Sequence, residues 1–370
     1  MMSESRPLGR HNTRVGVVFG GRSAEHRVSV RSARTVVEAL TEAGFAVQLL
    51  AIDRDGHWVD NASAAAAIAG PSEEVVSSRA DEAKVAQSLA NLTEDPPGVV
   101  FPLVHGTWGE DGTLQGLCEM CDLPYVGADC TASALAMDKR LAKAVLADAG
   151  IPVVEGQAVG EAELDADATL SGVLPQIDAP LFVKPSVGGS SVGVTRVDDR
   201  SQLAAAVREA LRFDQVALVE RAVQGREIEC AVLGYRELKA SCLGEIIPGH
   251  EFYDYSDKYL EDTARLEAPA KVDPSVEVRM RSIASRAFAV LGGSGMARVD
   301  FLLEDSGAFY VNELNTIPGF TSISMYPRLW DLSGLPLPDL VAELVEIAIA
   351  RHRDRSNLSH GIRSWLDQLG

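Results

Sequence analysis

Four residues near the C-terminal end of the chain are of types that can hold a metal-bound phosphate: Arg298, Asp300, Glu313 and Asn315. They lie in two alternating runs, Ala297–Phe301 and Val311–Asn315, which flank the turn-rich tetrapeptide Glu304-Asp305-Ser306-Gly307. If the runs pair as antiparallel strands across that turn, all four residues project from one face. Val299, Phe301 and Leu314 then point the other way, into a core. Two carboxylates and an amide are hard oxygen ligands suited to Mg²⁺, which keeps several waters and completes its shell with substrate phosphates. The same spacing also fits a cross-strand salt bridge between Arg298 and Glu313 on a wet sheet face.

A second cluster runs F-V-K-P-S-V-G-G-S-S-V-G, from Phe182 to Gly193. A strand delivers Lys184, and a Gly/Ser-rich loop then returns into another strand. Backbone N–H groups and hydroxyls of such a loop can cradle phosphate oxygens. The lysine precedes the loop, which excludes the G-x-x-x-x-G-K-[ST] arrangement; a plain flexible hairpin is the other reading. In a third cluster, Glu220 ends one strand and Glu227 begins the next, so two acids bracket a short connection. They could meet a ribose or an adenine amino group, or be solvated turn acids.

Two N-terminal loops complete the set. Gly20–Ser29 resembles a dinucleotide loop without the G-x-G-x-x-G spacing, and its Glu25 could complement a helix N-terminus. His105–Gly112 follows a strand end, where α/β sheets place ligands; its histidine could equally serve the turn.

These residues need a scaffold, and the texture of the chain supplies one. Strand-like runs at Val15–Phe19, Val47–Ile52 and Val99–Val104 alternate with a helix through Val30–Leu40, which predicts a parallel, doubly wound sheet over roughly the first 130 residues. A helix from Asp138 stops at Gly150. Runs at Pro180–Val183, Gly193–Val197, Ala217–Glu220 and Glu227–Leu233, with a helix at Ser201–Leu211, form an α+β module. A third segment holds a polar aromatic loop at Gly249–Thr263, a helix at Val276–Leu291, the hairpin Met296–Leu314 and a helix near Leu337–Ala350. The Ala/Asp-rich stretch Glu161–Ala168 reads as a surface connection.

The 370 residues are 46% hydrophobic and 24% charged with net charge −19, a globular composition with room for two or three domains. Such an acidic field repels nucleic acid and anionic membrane surfaces, so neither is an expected partner. The N-terminus has no apolar core or small-residue cleavage site, and no apolar run nears the ~18–20 residues that span a bilayer. A cytoplasmic location is expected. The five cysteines read as reduced thiols, and Cys118 and Cys121 share a helical face with Leu114 and Leu117, which favours packing over metal binding.

In sequence order, the motifs G-G-R-S-A-E-H-R-V-S, H-G-T-W-G-E-D-G, M-D-K, V-K-P-S-V-G-G-S-S-V-G-V, V-E-R-A-V-Q-G-R-E, Y-D-Y-S-D-K-Y, A-R-V-D-F and N-E-L-N-T-I-P-G-F-T-S-I-S resemble those of D-alanine–D-alanine ligases. The resemblance covers Val15 to about Ala350. It implies an ATP-grasp fold, α/β and α+β: a Rossmann-like domain at 1–138, a central subdomain at 139–235, and a C-terminal subdomain at 236–370 with a closing loop at 249–263. It implies ATP-dependent joining of two D-alanines through an acyl phosphate for peptidoglycan synthesis, with two Mg²⁺ or Mn²⁺ ions and a homodimer.

Position by position, the resemblance gives Lys139 and Lys184 the ATP phosphates and Phe182 the adenine pocket. Glu220, Arg221 and Val223 would read the adenine edge, and Glu227 the ribose. Asp300, Glu313 and Asn315 would hold metal. Arg298 and the Gly319 N–H would stabilise an oxyanion, an effect of roughly 3–4 kcal/mol per donor. Glu25 would take the first ammonium with His105 nearby, and Ser324 the second carboxylate. Ser190, Tyr259 and Glu25 would form a hydrogen-bonded set, and Lys258 would reach a phosphate as the loop closes. Val187-Gly188 and Arg221 depart from the common pattern without removing a required charge. The rivals are a D-alanine–D-lactate ligase, against which Tyr259 argues, and another carboxylate–amine ligase of this fold.

Overall fold

The computed structural model describes residues 13–76, 92–247 and 265–368. Strands β1 (Arg14–Gly20), β2 (Ala46–Ile52) and β3 (Val99–Pro102) form a parallel sheet in the order β2-β1-β3. Val15, Val17, Val18 and Phe19 are all fully buried because β1 is central and covered on both faces, which is why it reads as one continuous apolar run. Helix α1 (His26–Glu42) buries Val30, Ala33, Val36 and Leu40, the 3.6-residue stripe of its sequence. The alanine-rich run becomes α2 (Asn61–Ala69), started by Asp60, whose carboxylate accepts the Ser63 N–H.

Three further helices follow β3: α3 (Thr113–Met120), α4 (Cys130–Met137) and α5 (Lys139–Asp148). Cys118 packs with Leu114 in a buried cluster, where burial pushes its thiol up to about 12, and all five cysteines are free. The packing reading of Cys118 and Cys121 holds.

The middle of the chain forms an antiparallel sheet, β4-β7-β5-β6, from β4 (Gly156–Val159), β5 (Leu181–Pro185), β6 (Thr195–Val197) and β7 (Ala217–Arg221). Leu181, Val183 and Val219 face Leu203 and Val207 of α7 (Leu203–Ala210). The opposite face therefore carries Phe182, Lys184 and Glu220. Between β4 and β5, the stretch expected as a surface connection opens with a short helix, α6 (Glu161–Ala166), capped by the Glu163 carboxylate on the Gly160 N–H.

A five-stranded sheet, β10-β9-β8-β11-β12, follows: β8 (Arg226–Gly234), β9 (Leu238–Ile247), β10 (Arg265–Glu267), β11 (Gly295–Leu303) and β12 (Phe309–Asn315). Helix α8 (Pro274–Val290) lays Met280, Ala284 and Phe288 on one face, against Cys230, Val299 and Phe301. Helices α9 (Met325–Leu332) and α10 (Leu337–Asp367) cover the other and share a core with α1. Helix α10 continues well past the expected end at Ala350. Strand β9 was not expected, and it corrects the limit at 235: β8 pairs with both β9 and β11, so that limit cuts one sheet. The two sheets part instead at the turn Ala222–Gly225. Among the described residues no helix is long and apolar enough to cross a membrane. Lys258, Tyr259 and the loop 249–263 lie outside the described residues.

Candidate active site

The hairpin β11–β12 pairs Arg298 with Asn315 and Asp300 with Glu313, so the four residues share a face as their spacing required. Val299, Phe301 and Leu314 are buried on the other. The Arg298 guanidinium forks onto Asp300, with Nε and Nη2 donating at 2.7 and 2.6 Å. Its Nε also lies 2.9 Å from Oε1 of Glu229, which stands opposite Asp300 on β8. Burial alone would lower the Arg298 pKa, but Asp300 and Glu229 raise it well above its ordinary value, so the charge is permanent. The Arg298–Glu313 salt bridge is not the pairing formed: Glu313 instead meets Lys139 at 3.2 Å. The Asn315 Nδ2 donates to Asp300 at 2.9 Å. Asp300, Glu313 and Asn315 thus present adjacent hard oxygens, with Glu229 adding negative charge, and this donor set fits a divalent cation.

Opposite the hairpin, Lys139 opens α5 and reaches the Gly-rich loop, where its Nζ donates to the Gly188 carbonyl at 2.6 Å. Ser190 and Ser191 hold left-handed backbone conformations, φ 54° and 58°, unusual for residues with a Cβ and concentrated at functional loops. Lys184 lies 2.8 Å from Glu220 and donates to the Asn312 side chain at 3.1 Å, joining the two sheets. The other Glu220 oxygen holds Lys143. Glu220 is 3% exposed, and its carboxylate is occupied by two lysines rather than offered to an adenine edge. Lys143 escaped the sequence reading, although its position four residues after Lys139 places both on one face of α5.

The remaining nucleotide-site candidates spread around this point. Phe182 stands directly across from Glu220 on the same sheet face. The Arg221 guanidinium turns to Glu304, 3.3 Å away, and stacks 4.8 Å over the Tyr310 ring. Val223 lies in the turn between β7 and β8, and Glu227 shares a β8 face with Glu229.

A cleft of about 220 Å³ gathers Glu25, His105, Lys139, Ser190, Arg298 and Glu313; Asn315, Gly319 and Ser324 also line it. Glu25 occupies the N-cap position of α1 without capping it. A methyl group on Gly106 or Gly189 would come within 3.1 or 3.3 Å of its Oε2, so both loops close on this carboxylate. His105 is buried, and its Nδ1–H donates to the Ile317 carbonyl at 2.8 Å. That tautomer leaves Nε2 to accept from the Ser32 hydroxyl, 3.1 Å away, and burial keeps the ring neutral. His105 is therefore a brace for the Ile317 segment. The Ser324 hydroxyl accepts the Thr321 N–H at 3.0 Å, and a Cβ at Gly319 would lie 2.8 Å from it, which explains the glycine.

Glu110 was also missed. It is buried in the His105–Gly112 loop and accepts N–H groups from Gly106 and Ile317. Burial and then Glu25 push it up to about 8, against the pull of those N–H groups.

Two family models match the chain: one described as D-ala D-ala ligase N-terminus over residues 14–128, and one as D-ala D-ala ligase C-terminus over 145–346. A D-alanine–D-alanine ligase A of Chromobacterium violaceum is 45% identical over 363 residues, 94% of this chain and 98% of that one. Among solved structures, the D-alanine-D-alanine ligase from Coxiella burnetii superposes with a TM-score of 0.78 at 36% identity, covering 96% of this chain and 99% of the other. The VanG D-Ala:D-Ser ligase from Enterococcus faecalis gives 0.77 at 32%, covering 91% and 99%.

Proposed function

The chain belongs to the D-alanine–D-alanine ligase family, and from that premise we propose that it joins two D-alanines to D-alanyl-D-alanine, converting ATP to ADP and phosphate. Its fold is an ATP-grasp behind a Rossmann-like N-terminal sheet. The observation that carries the reading is the shared face of Arg298, Asp300, Glu313 and Asn315, set in one cleft with Glu25 and the loop 188–190.

A carboxylate is a poor electrophile because its charge repels nucleophiles. Transfer of the γ-phosphoryl group to the first D-alanine gives an acyl phosphate, and attack by the second amine expels phosphate. Glu25 binds the first ammonium, while Ser324 receives the second carboxylate. Arg298 and the Gly319 N–H face the oxygen on which charge develops. Lys139 and Lys184 hold phosphates, and their resting partners Glu313 and Glu220 release them as ATP enters. A divalent cation held by Asp300, Glu313 and Asn315 would supply positive charge to the phosphate oxygens. Two such ions are assigned.

Phe182, Arg221, Val223 and Glu227 remain the assigned lining for adenine and ribose. Glu220 is assigned to the adenine edge with Arg221 and Val223, its carboxylate freed on one side as Lys184 moves to the phosphates while Lys143 stays on the other. Ser190 with Tyr259, and Lys258, are assigned to closure over the reaction. The domain limits become 138 and the Ala222–Gly225 turn. A homodimer in the cytoplasm completes the assignment.

The test is ATP-dependent ligation with D-alanine, D-serine, D-lactate and L-alanine, following ADP release and product mass. D-Alanyl-D-alanine is the expected main product. ADP release that does not depend on D-alanine, or a different main product, overturns the reading.

A further inference from the structure

We propose that Glu110 is a positioning residue: its carboxylate clamps the loop carrying Gly319 to the loop that supports Glu25, and so holds the oxyanion donor in register with the first-substrate site. This inference rests on the function proposed above.

The geometry is a set of buried anchors. Glu110 Oε2 accepts the Gly106 N–H at 2.7 Å and Oε1 accepts the Ile317 N–H at 2.9 Å. His105 takes the other backbone group of residue 317, its carbonyl, at 2.8 Å. Three residues on, the Phe320 N–H donates to Ser32 at 3.1 Å, and Ser32 also meets His105. Gly319 therefore lies between two points that the N-terminal part of the chain pins. Gly106, the other residue held by Glu110, is one of two glycines packed on Glu25: a Cβ added there would lie 3.1 Å from Glu25 Oε2.

Only a carboxyl group suits this position, because even when it carries a proton each of its oxygens can still accept an N–H. Each of its oxygens accepts one inward-pointing N–H, and leaving either donor unmet in the interior is costly. Glutamine has nearly the same shape but offers one oxygen and one NH₂, so one of the two N–H groups would face another donor. Aspartate is a methylene shorter and cannot span both loops. Preorganised donors lose much of their value when displaced by an ångström, so a loosened clamp should act on the chemical step. Lys139 and Lys184 make none of these contacts.

The experiment compares Glu110→Gln with the wild type under saturating ATP, varying D-alanine, and measures ADP affinity separately by calorimetry. The expected result is a fall in kcat/KM for D-alanine of roughly tenfold to a hundredfold, about 1.4–2.7 kcal/mol, most of it in kcat, with ADP affinity unchanged. Ser32→Ala, which frees the Phe320 N–H from the other side, should show a smaller fall with the same split, and it decides the matter if Glu110→Gln does not fold. Unchanged kcat/KM, or ADP affinity falling in parallel with turnover, overturns the proposal. A wild type that forms no D-alanyl-D-alanine refutes the functional reading instead.

Discussion

Arg298→Lys separates charge from shape at the centre of the cleft. The native guanidinium spends Nε and Nη2 on Asp300, at 2.7 and 2.6 Å, and shares Nε with Glu229 at 2.9 Å. That leaves the rest of its planar fork fixed in direction. A lysine ammonium is a point charge on a flexible stem and cannot meet both carboxylates while also aiming at a substrate oxygen. Losing one oxyanion donor costs ≈ 2.7–4 kcal/mol, and the retained charge puts this variant at the low end, so kcat should fall about a hundredfold. Lys139 is bonded to Gly188 and Glu313, and Lys184 to Asn312 and Glu220, so KM for ATP should move by less than about threefold. Initial rates of ADP release at varied D-alanine and ATP measure both quantities. Near-normal kcat with poorer substrate binding alone would show that Arg298 orders the ground state and does not stabilise the transition state.

Asp300→Ala and Glu313→Ala should abolish ligation while leaving the circular dichroism of the folded chain intact, with Asp300→Ala also lowering the melting temperature because it strips Arg298 of its forked partner; near-normal turnover of either at low Mg²⁺ contradicts its role as a ligand. Lys143→Met removes one of two cations from buried Glu220, so Glu220 should hold Lys184 more tightly and raise KM for ATP about tenfold, with KM for D-alanine little changed; equal KM values for ATP would dismiss that coupling. Hydrogen bonds from Arg54 and then Arg27 hold Glu74 at about 2, below its ordinary 4.5. Because the folded value is depressed, the stabilisation is complete above pH 4.5 and fades as pH falls toward 2. Glu74→Gln should cost about 1 kcal/mol at pH 7, since both arginines are largely solvated and screened. Melting curves from pH 2 to 7 should converge for the two proteins at the acid end, and parallel curves would refute the linkage.

Much of the scaffold could be read from residue patterns, because short-range rules set it. The alternation in Ala297–Phe301 and Val311–Asn315 fixes which side chains share a face once the turn is granted, and Arg298, Asp300, Glu313 and Asn315 obey it. The stop at Gly150, with its left-handed backbone, works through neighbouring residues, whereas the Asp138 cap, which accepts the Leu141 N–H, is also held by the distant Ser186 hydroxyl. What escaped depends on partners distant in the chain. Strand β9 mixes polar and small residues, and only its place between β8 and β10 makes it a strand. Glu220 ends a strand and looked like a turn acid; the two lysines that bury it come from β5 and α5. His105, at a strand end, fitted a ligand or a turn residue equally, and the segment whose Ile317 carbonyl it meets lies more than two hundred residues later.

That separation bears on how the enzyme comes into being. The bonds that hold the Gly319 loop join residues 212, 207 and 288 positions apart, contacts whose loop-closure entropy is met only after local elements have formed. During synthesis, the N-terminal sheet and α1 emerge long before the segment they must grip. Catalytic competence should therefore arrive as a late, discrete event, with helix content largely recovered while activity is still absent. A chain cut between Asn315 and Ile317 would separate the two halves of the site at the loop where they meet.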